Sequence, residues 1–149
     1  MNLTSHFTLE EFTASDTAAR NHLDNSVPAD LMANAVAAAE MMERIRDALG
    51  DKPVIVTSGY RSPEVNKAVG SGPGSDHPKA MAVDFKCPAF GTPYEVARHL
   101  ATKVDILGIG QLIHEFGSWV HVSTRTPDKV VNRIITISAR GTEVGIQRI

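Results

Sequence analysis

Several features that would place a chain in a particular class are scarce or missing in these 149 residues. The single cysteine, Cys87, excludes an internal disulfide framework, and we expect it to be a small buried packing residue. Lysine and arginine total 15 against 17 aspartate and glutamate, which argues against a nucleic-acid-binding protein that works through a basic surface. No apolar run approaches a membrane span, so no membrane insertion is expected. Walker, Rossmann and nucleophile-elbow motifs are absent.

What is present is the composition of an ordinary globular protein, with 42% hydrophobic and 21% charged residues. The length predicts one domain with a sizeable core, residues 1–149. The segment Met1 to Leu9 has neither the basic nor the apolar region of a secretory signal. We therefore expect synthesis in the cytoplasm without a signal peptide.

Three potential metal ligands stand out. His77 is followed by Asp84 seven residues later, and His121 lies further on in an apolar run. Two imidazoles and one carboxylate form a ligand set that binds zinc and leaves a fourth position for water, as catalytic zinc sites do. The alternative is that these residues form no metal site, because a His-x6-Asp pair also recurs by chance. A lone histidine such as His121 is more often a hydrogen-bonded core residue.

The pattern of helices and strands predicts an α+β fold. An apolar stripe from Pro28 to Leu49 indicates the longest helix, capping boxes begin at Thr8 and Thr92, and Ser62-Pro63 starts a short helix. Alternating or β-rich runs predict strands, most of them late in the chain: 53–57, 82–85, 110–113, 120–124 and 133–138. We expect a small antiparallel sheet that carries the site, flanked by helices.

Three motifs resemble one family. Residues 75–84, SDHPKAMAVD, resemble the Ser-x-His-x-x-Gly-x-Ala-x-Asp signature of the LAS-type zinc peptidases. These are D-alanyl-D-alanine carboxypeptidases and L-alanyl-D-glutamate endopeptidases, phage endolysins among them. Residues 58–63 and 119–121 are similar to the family's Ser-Gly-Tyr-Arg stretch and second histidine segment, and the likeness runs from Phe7 to Ser123. The resemblance implies a Hedgehog/D-Ala-D-Ala carboxypeptidase-like fold and one zinc per chain, bound by His77, Asp84 and His121.

The chain departs from the family pattern at two positions. Ala80 replaces the usual glycine, so we expect its added methyl group to make the approach of the backbone to the site slightly tighter. Several members carry the catalytic acid three residues before the second histidine, but Ser118 stands there and cannot be a general base. The nearest carboxylate is Glu115, the predicted catalytic base; the alternative is a solvated glutamate at a strand end. His114 should face the other way, because strand neighbours alternate.

Four residues are predicted to bind substrate. Arg61 follows a Gly-Tyr turn and can clamp a substrate carboxylate with its fork of donors, unless it forms a structural ion pair. Ser75 is expected to orient the substrate carbonyl or, alternatively, to cap its own loop. Tyr60 and Trp119 are expected to line the cleft, although single aromatic residues more often pack in the core.

The resemblance predicts a zinc-dependent peptidase of peptidoglycan stem peptides, of the kind found in phage or prophage endolysins. It would be made in the host cytoplasm and act on the cell wall after release. The expected partner is the stem peptide, and no nucleic-acid partner is expected. The protein itself is expected to be a monomer. The alternative is a zinc-stabilised, non-catalytic wall-binding or phage structural module of the same fold. Which peptide bond would be cut stays open.

Overall fold

Six strands form one sheet in the computed structural model, which describes residues 1–149. The strands are β1 (Ile55–Ser58), β2 (Ala82–Lys86), β3 (Gln111–Glu115), β4 (Trp119–Ser123), β5 (Ile134–Ser138) and β6 (Gly141–Val144). Their order across the sheet is β1-β2-β4-β3-β5-β6. The neighbours pair antiparallel except β3 and β5, which are parallel. The α+β prediction is confirmed, but the sheet is larger than expected and only mostly antiparallel.

Six α-helices surround the sheet: α1 (Leu9–Thr13), α2 (Asp16–Arg20), α3 (Met32–Ala48), α4 (Pro63–Ala68), α5 (Pro93–Ala101) and α6 (Val104–Leu107). Both predicted capping boxes are present, at Thr8 and Thr92, and the Ser62 hydroxyl accepts from the third amide of its helix. Helix α3 begins later than predicted because residues 29–31 form a 3-10 turn. No helix is both long enough and apolar enough to cross a membrane.

The core lies between one face of the sheet and helices α3 and α5. Alternate strand residues point into it, such as Val83 and Phe85 on β2 and Val120 and Val122 on β4. Each fully buried side chain of this size contributes about 1.5–3 kcal/mol. Cys87 is buried at the rim of this core, which confirms its predicted packing role. The residues between these core positions therefore point to the other face of the sheet.

Candidate active site

His77, Asp84 and His121 meet on the face of the sheet opposite the core, and one ligand atom from each lies within 4.8 Å of the others. His77 Nε2 lies 3.4 Å from Asp84 Oδ2, and His121 Nδ1 lies 2.8 Å from Asp84 Oδ1. All three side chains are buried. Asp84 and His121 are direct partners in the β2–β4 register, so strand pairing sets the distance between them.

The third member of this triad is held by a backbone carbonyl. His77 Nδ1–H donates to the Gly59 carbonyl oxygen at 2.6 Å, which leaves the Nε2 lone pair on the side of Asp84. Gly59 packs so tightly on α1 that a Cβ there would lie 2.7 Å from the Phe12 carbonyl oxygen. Glycine at position 59 therefore allows the close approach that places the acceptor for His77.

Ala80 ends the turn that carries His77, and its backbone explains the glycine usual in the family. Its φ is +58°, in the left-handed region that favours glycine. Its methyl group is buried beside Ala35 and Tyr60. The sequence predicted that the Ala80 methyl group would make the approach of the backbone to the site tighter. The structure shows a different consequence, a non-glycine residue in the left-handed backbone conformation.

The triad fits a zinc ion by the chemistry of its donors. Burial alone would raise the pKa of Asp84, but hydrogen bonds with His121 and His77 outweigh it and hold that pKa well below its ordinary value. The carboxylate is therefore charged at neutral pH, as a metal ligand must be. The Gly59 carbonyl fixes the tautomer and orientation of His77, which is the usual arrangement behind a metal-binding histidine.

The triad lines a cleft of about 390 Å³, and most of the predicted site residues lie in the same cleft. Besides the triad, the lining residues are Arg61, Val69, Ser71, Ser75, Glu115, Phe116 and Trp119. Glu115 Oε1 lies 3.7 Å from His121 Nδ1. Burial raises the pKa of Glu115 and Asp84 adds to this, while His121, Arg61 and a hydrogen bond from the Trp119 side chain partly oppose it.

His114 and Ser118, the neighbours of Glu115 considered as alternatives, lie elsewhere. His114 points to the opposite face of the sheet, where its Nδ1–H donates to the Gln147 carbonyl oxygen at 2.9 Å and its ring meets Tyr94 edge-on. Ser118 is exposed in the β3–β4 turn, and its hydroxyl donates to the Phe116 carbonyl oxygen. Of these residues, only Glu115 faces the triad.

One hydrogen-bond donor in the cleft has no acceptor in the chain. The Nε–H of Arg61 is buried and unpartnered, whereas the indole N–H of Trp119, also buried, lies beside the Glu115 carboxylate. Arg61 makes one weak side-chain contact, from Nη2 to Ser71 Oγ at 3.3 Å, and its pKa is lowered by burial. An unsatisfied buried donor costs about 1–3 kcal/mol. A carboxylate or carbonyl oxygen of a bound ligand would satisfy the Arg61 donor.

Tyr60 and Ser75 are placed differently from one another. Tyr60 is buried against Ala35 and Ala80 and is not among the residues that line the cleft, so the geometry gives no support to its predicted contact with substrate. Ser75 lines the cleft, and its hydroxyl also accepts from the His77 amide at 3.2 Å, which is the predicted loop cap.

Sequence reasoning missed two residues that shape the site. The buried Asp76 carboxylate accepts hydrogen bonds from Ser123 Oγ at 2.8 Å and Arg125 Nε at 2.6 Å, and so ties the His77 loop to the end of β4. Its position directly before His77 was the one available signal. Phe116 lies half-exposed at the cleft, and its φ is +54°. In the sequence, the neighbouring Gly117 indicates only that a turn occurs here.

Fold and site together are those expected of a metal-dependent hydrolase: a buried group of two histidines and one aspartate that could hold a metal, with the Glu115 carboxylate beside it. A family model described as Peptidase M15 matches residues 5–123, which is most of the chain. The chain therefore belongs to the peptidase M15 family and is a metallopeptidase, which confirms the resemblance identified in the three motifs. Peptidases of this family are zinc-dependent, in agreement with the donor set. A comparison with curated proteins finds no significant match.

Proposed function

We propose that the protein is a monomeric, single-domain zinc peptidase that hydrolyses the stem peptides of peptidoglycan, with one zinc bound by His77, Asp84 and His121. The observation that carries the proposal is the arrangement of Glu115 and Arg61 around the triad in one cleft. Stem peptides carry several carboxylates, and a carboxylate is the partner that the buried guanidinium of Arg61 lacks within the chain.

The proposed chemistry assigns a task to each side chain. When bound, zinc polarises a carbonyl oxygen and makes water acidic enough to lose a proton near neutral pH. Glu115 accepts the proton of the water that attacks the scissile carbonyl carbon, and then delivers it to the amine nitrogen as the C–N bond breaks. Arg61 binds a substrate carboxylate and orients the peptide.

We further propose that the hydrolysis serves cell lysis, as in a phage or prophage endolysin released from the cytoplasm onto the wall. The support is the resemblance of the three motifs to LAS-type peptidases, which include phage endolysins. Expression in a Gram-negative host, with and without a co-expressed pore-forming protein, tests this role. Lysis only in the presence of the pore is expected, and no lysis with the pore would contradict it.

Glu115→Gln tests the catalytic proposal most directly. Glutamine keeps the shape and hydrogen bonding of the side chain but cannot accept a proton, so hydrolysis should fall by about 10²–10⁴-fold. The assay is release of peptide from purified Gram-negative sacculi, with zinc content and thermal unfolding measured on the same samples.

The matched control is Glu143→Gln, the same change on β6 outside the cleft. It should leave hydrolysis at the wild-type level. Near-normal activity of Glu115→Gln together with an inactive His114→Ala at full zinc occupancy would move the base to His114. A wild-type protein that binds zinc and sacculi but releases no peptide would contradict the proposed substrate.

A further inference from the structure

A second groove, of about 420 Å³, adjoins the catalytic cleft and has no role in the chemistry above. It shares His121 and Ser75 with the cleft and no other lining residue, so His121 lies between the two. Along β3, Glu115 lines the cleft, whereas Ile113 and Gln111 line the second groove. The two depressions therefore adjoin at Ser75 and His121 on the same face of the sheet.

The second groove has an apolar floor. Ile113 on β3 pairs directly with Ile135 on β5, and Ile137 follows on the same face of β5. Polar and charged side chains form its rim, among them Asn132 and Arg125. The groove thus offers an apolar strip of three isoleucines within a mostly polar lining.

Arg125 is a fixed cation at this rim. Its Nε donates to the buried Asp76 carboxylate at 2.6 Å, while its two Nη atoms make no hydrogen bond within the chain. Its backbone is also held, because Gly110 lies so close that a Cβ there would be 2.4 Å from the Arg125 carbonyl carbon. The guanidinium is thus positioned by structure yet keeps free donors, about a third of the side chain being exposed.

We infer that the second groove binds the part of the peptide on the opposite side of the scissile bond from Arg61, with Arg125 recognising a substrate carboxylate there. The inference rests on the proposed function. A peptidase that removes one terminal residue needs an extended site on one side of the bond only. Two grooves with a cation in each fit a peptide that continues in both directions and carries carboxylates on both sides, which makes the enzyme an endopeptidase.

Two variants of the second groove test the inference. Arg125→Lys keeps the charge that pairs with Asp76 but loses the fork that recognises a carboxylate. Ile137→Trp fills the groove at a partly exposed strand position, where an aromatic residue is tolerated. Arg140→Lys and Ile55→Trp make the same changes at residues that line neither depression and are the matched controls; Ile55 is an exposed residue of β1, at the opposite edge of the sheet.

The measurements are kcat/KM on purified sacculi, mass spectrometry of the released fragments, zinc content and thermal unfolding. We expect cleavage of an internal peptide bond, a roughly tenfold to hundredfold lower kcat/KM in both groove variants, and wild-type behaviour in both controls. Release of single terminal amino acids alone, or groove variants as active as their controls, would overturn the inference and leave the proposed function intact. A wild-type protein without activity on sacculi would remove the proposed function and the inference with it.

Discussion

Replacing Asp76 tests how the loop that carries His77 is held against β4. The carboxylate is 3% exposed and accepts hydrogen bonds from Ser123 Oγ and Arg125 Nε, with Lys79 Nζ at 3.7 Å. Asp76→Ala removes these contacts and leaves the hydroxyl proton of the fully buried Ser123 without an acceptor. Asp76→Asn keeps one acceptor oxygen, and its amide can donate to the serine hydroxyl.

The expected loss of stability follows from these two contacts. The orphaned Ser123 hydroxyl costs about 1–3 kcal/mol. The pair with Arg125 contributes about 1 kcal/mol, because water screens a guanidinium that is a third exposed. Asp76→Ala should therefore lower the free energy of unfolding by about 2–4 kcal/mol, and Asp76→Asn by about 1 kcal/mol. Zinc affinity should fall by about 10–100-fold in the alanine variant, since the ligand loop loses its support.

Urea unfolding in the presence of a chelator measures the first effect, and zinc competition with a chelator of known affinity measures the second. Asp105→Ala is the matched control, because Asp105 is 88% exposed and pairs with Arg133 at 2.8 Å on the surface. Its loss should cost about 0–1 kcal/mol and leave zinc binding unchanged. If Asp76→Ala unfolds and binds zinc like Asp105→Ala, the loop is not held by this carboxylate.

Three further variants probe other parts of the site. His121→Ala should lose most of its zinc, and full retention by elemental analysis would count against the ligand set. Arg61→Ala should lower kcat/KM on sacculi by the equivalent of about 1.5–3 kcal/mol with little change in melting temperature; unfolding with normal specific activity would make Arg61 structural. Phe116→Asn should raise stability by about 0.5–1 kcal/mol, since asparagine tolerates the φ of +54°, and an unchanged melting temperature would refute that strain.

The parts of the fold that the sequence predicts are those set by neighbours along the chain. Capping boxes at Thr8 and Thr92 and the Ser62-Pro63 start are local hydrogen-bond patterns, and all three helices form there. Helices α2 and α6, with five and four residues, are too short for a periodic signal. The parallel β3–β5 pairing and the added strand β6 depend on residues far apart or largely exposed, which no local pattern reveals.

The candidate site divides in the same way. The triad could be predicted because its residues stand in recognisable motifs, and the structure brings them within 4.8 Å of one another. The groups that support the triad could not be predicted, because the Gly59 carbonyl and the Asp76 carboxylate act through contacts made only after folding. Tyr60 shows the opposite case: its motif position predicted a role at the surface of the cleft, whereas its ring packs in a small apolar cluster with Ala35 and Ala80.

The strand register between Asp84 and His121 has a consequence for the order in which the enzyme matures. Two of the three proposed ligands are set by β2–β4 pairing, and the third is oriented by a carbonyl of the chain, so contacts of the polypeptide itself support all three. In small zinc domains the ion drives folding, and metal removal denatures them. Backbone pairing and the Gly59 carbonyl support the proposed ligands here, so we expect the polypeptide to fold first and acquire its ion later. Stripping and reloading the metal should then switch activity off and on without passing through an unfolded chain.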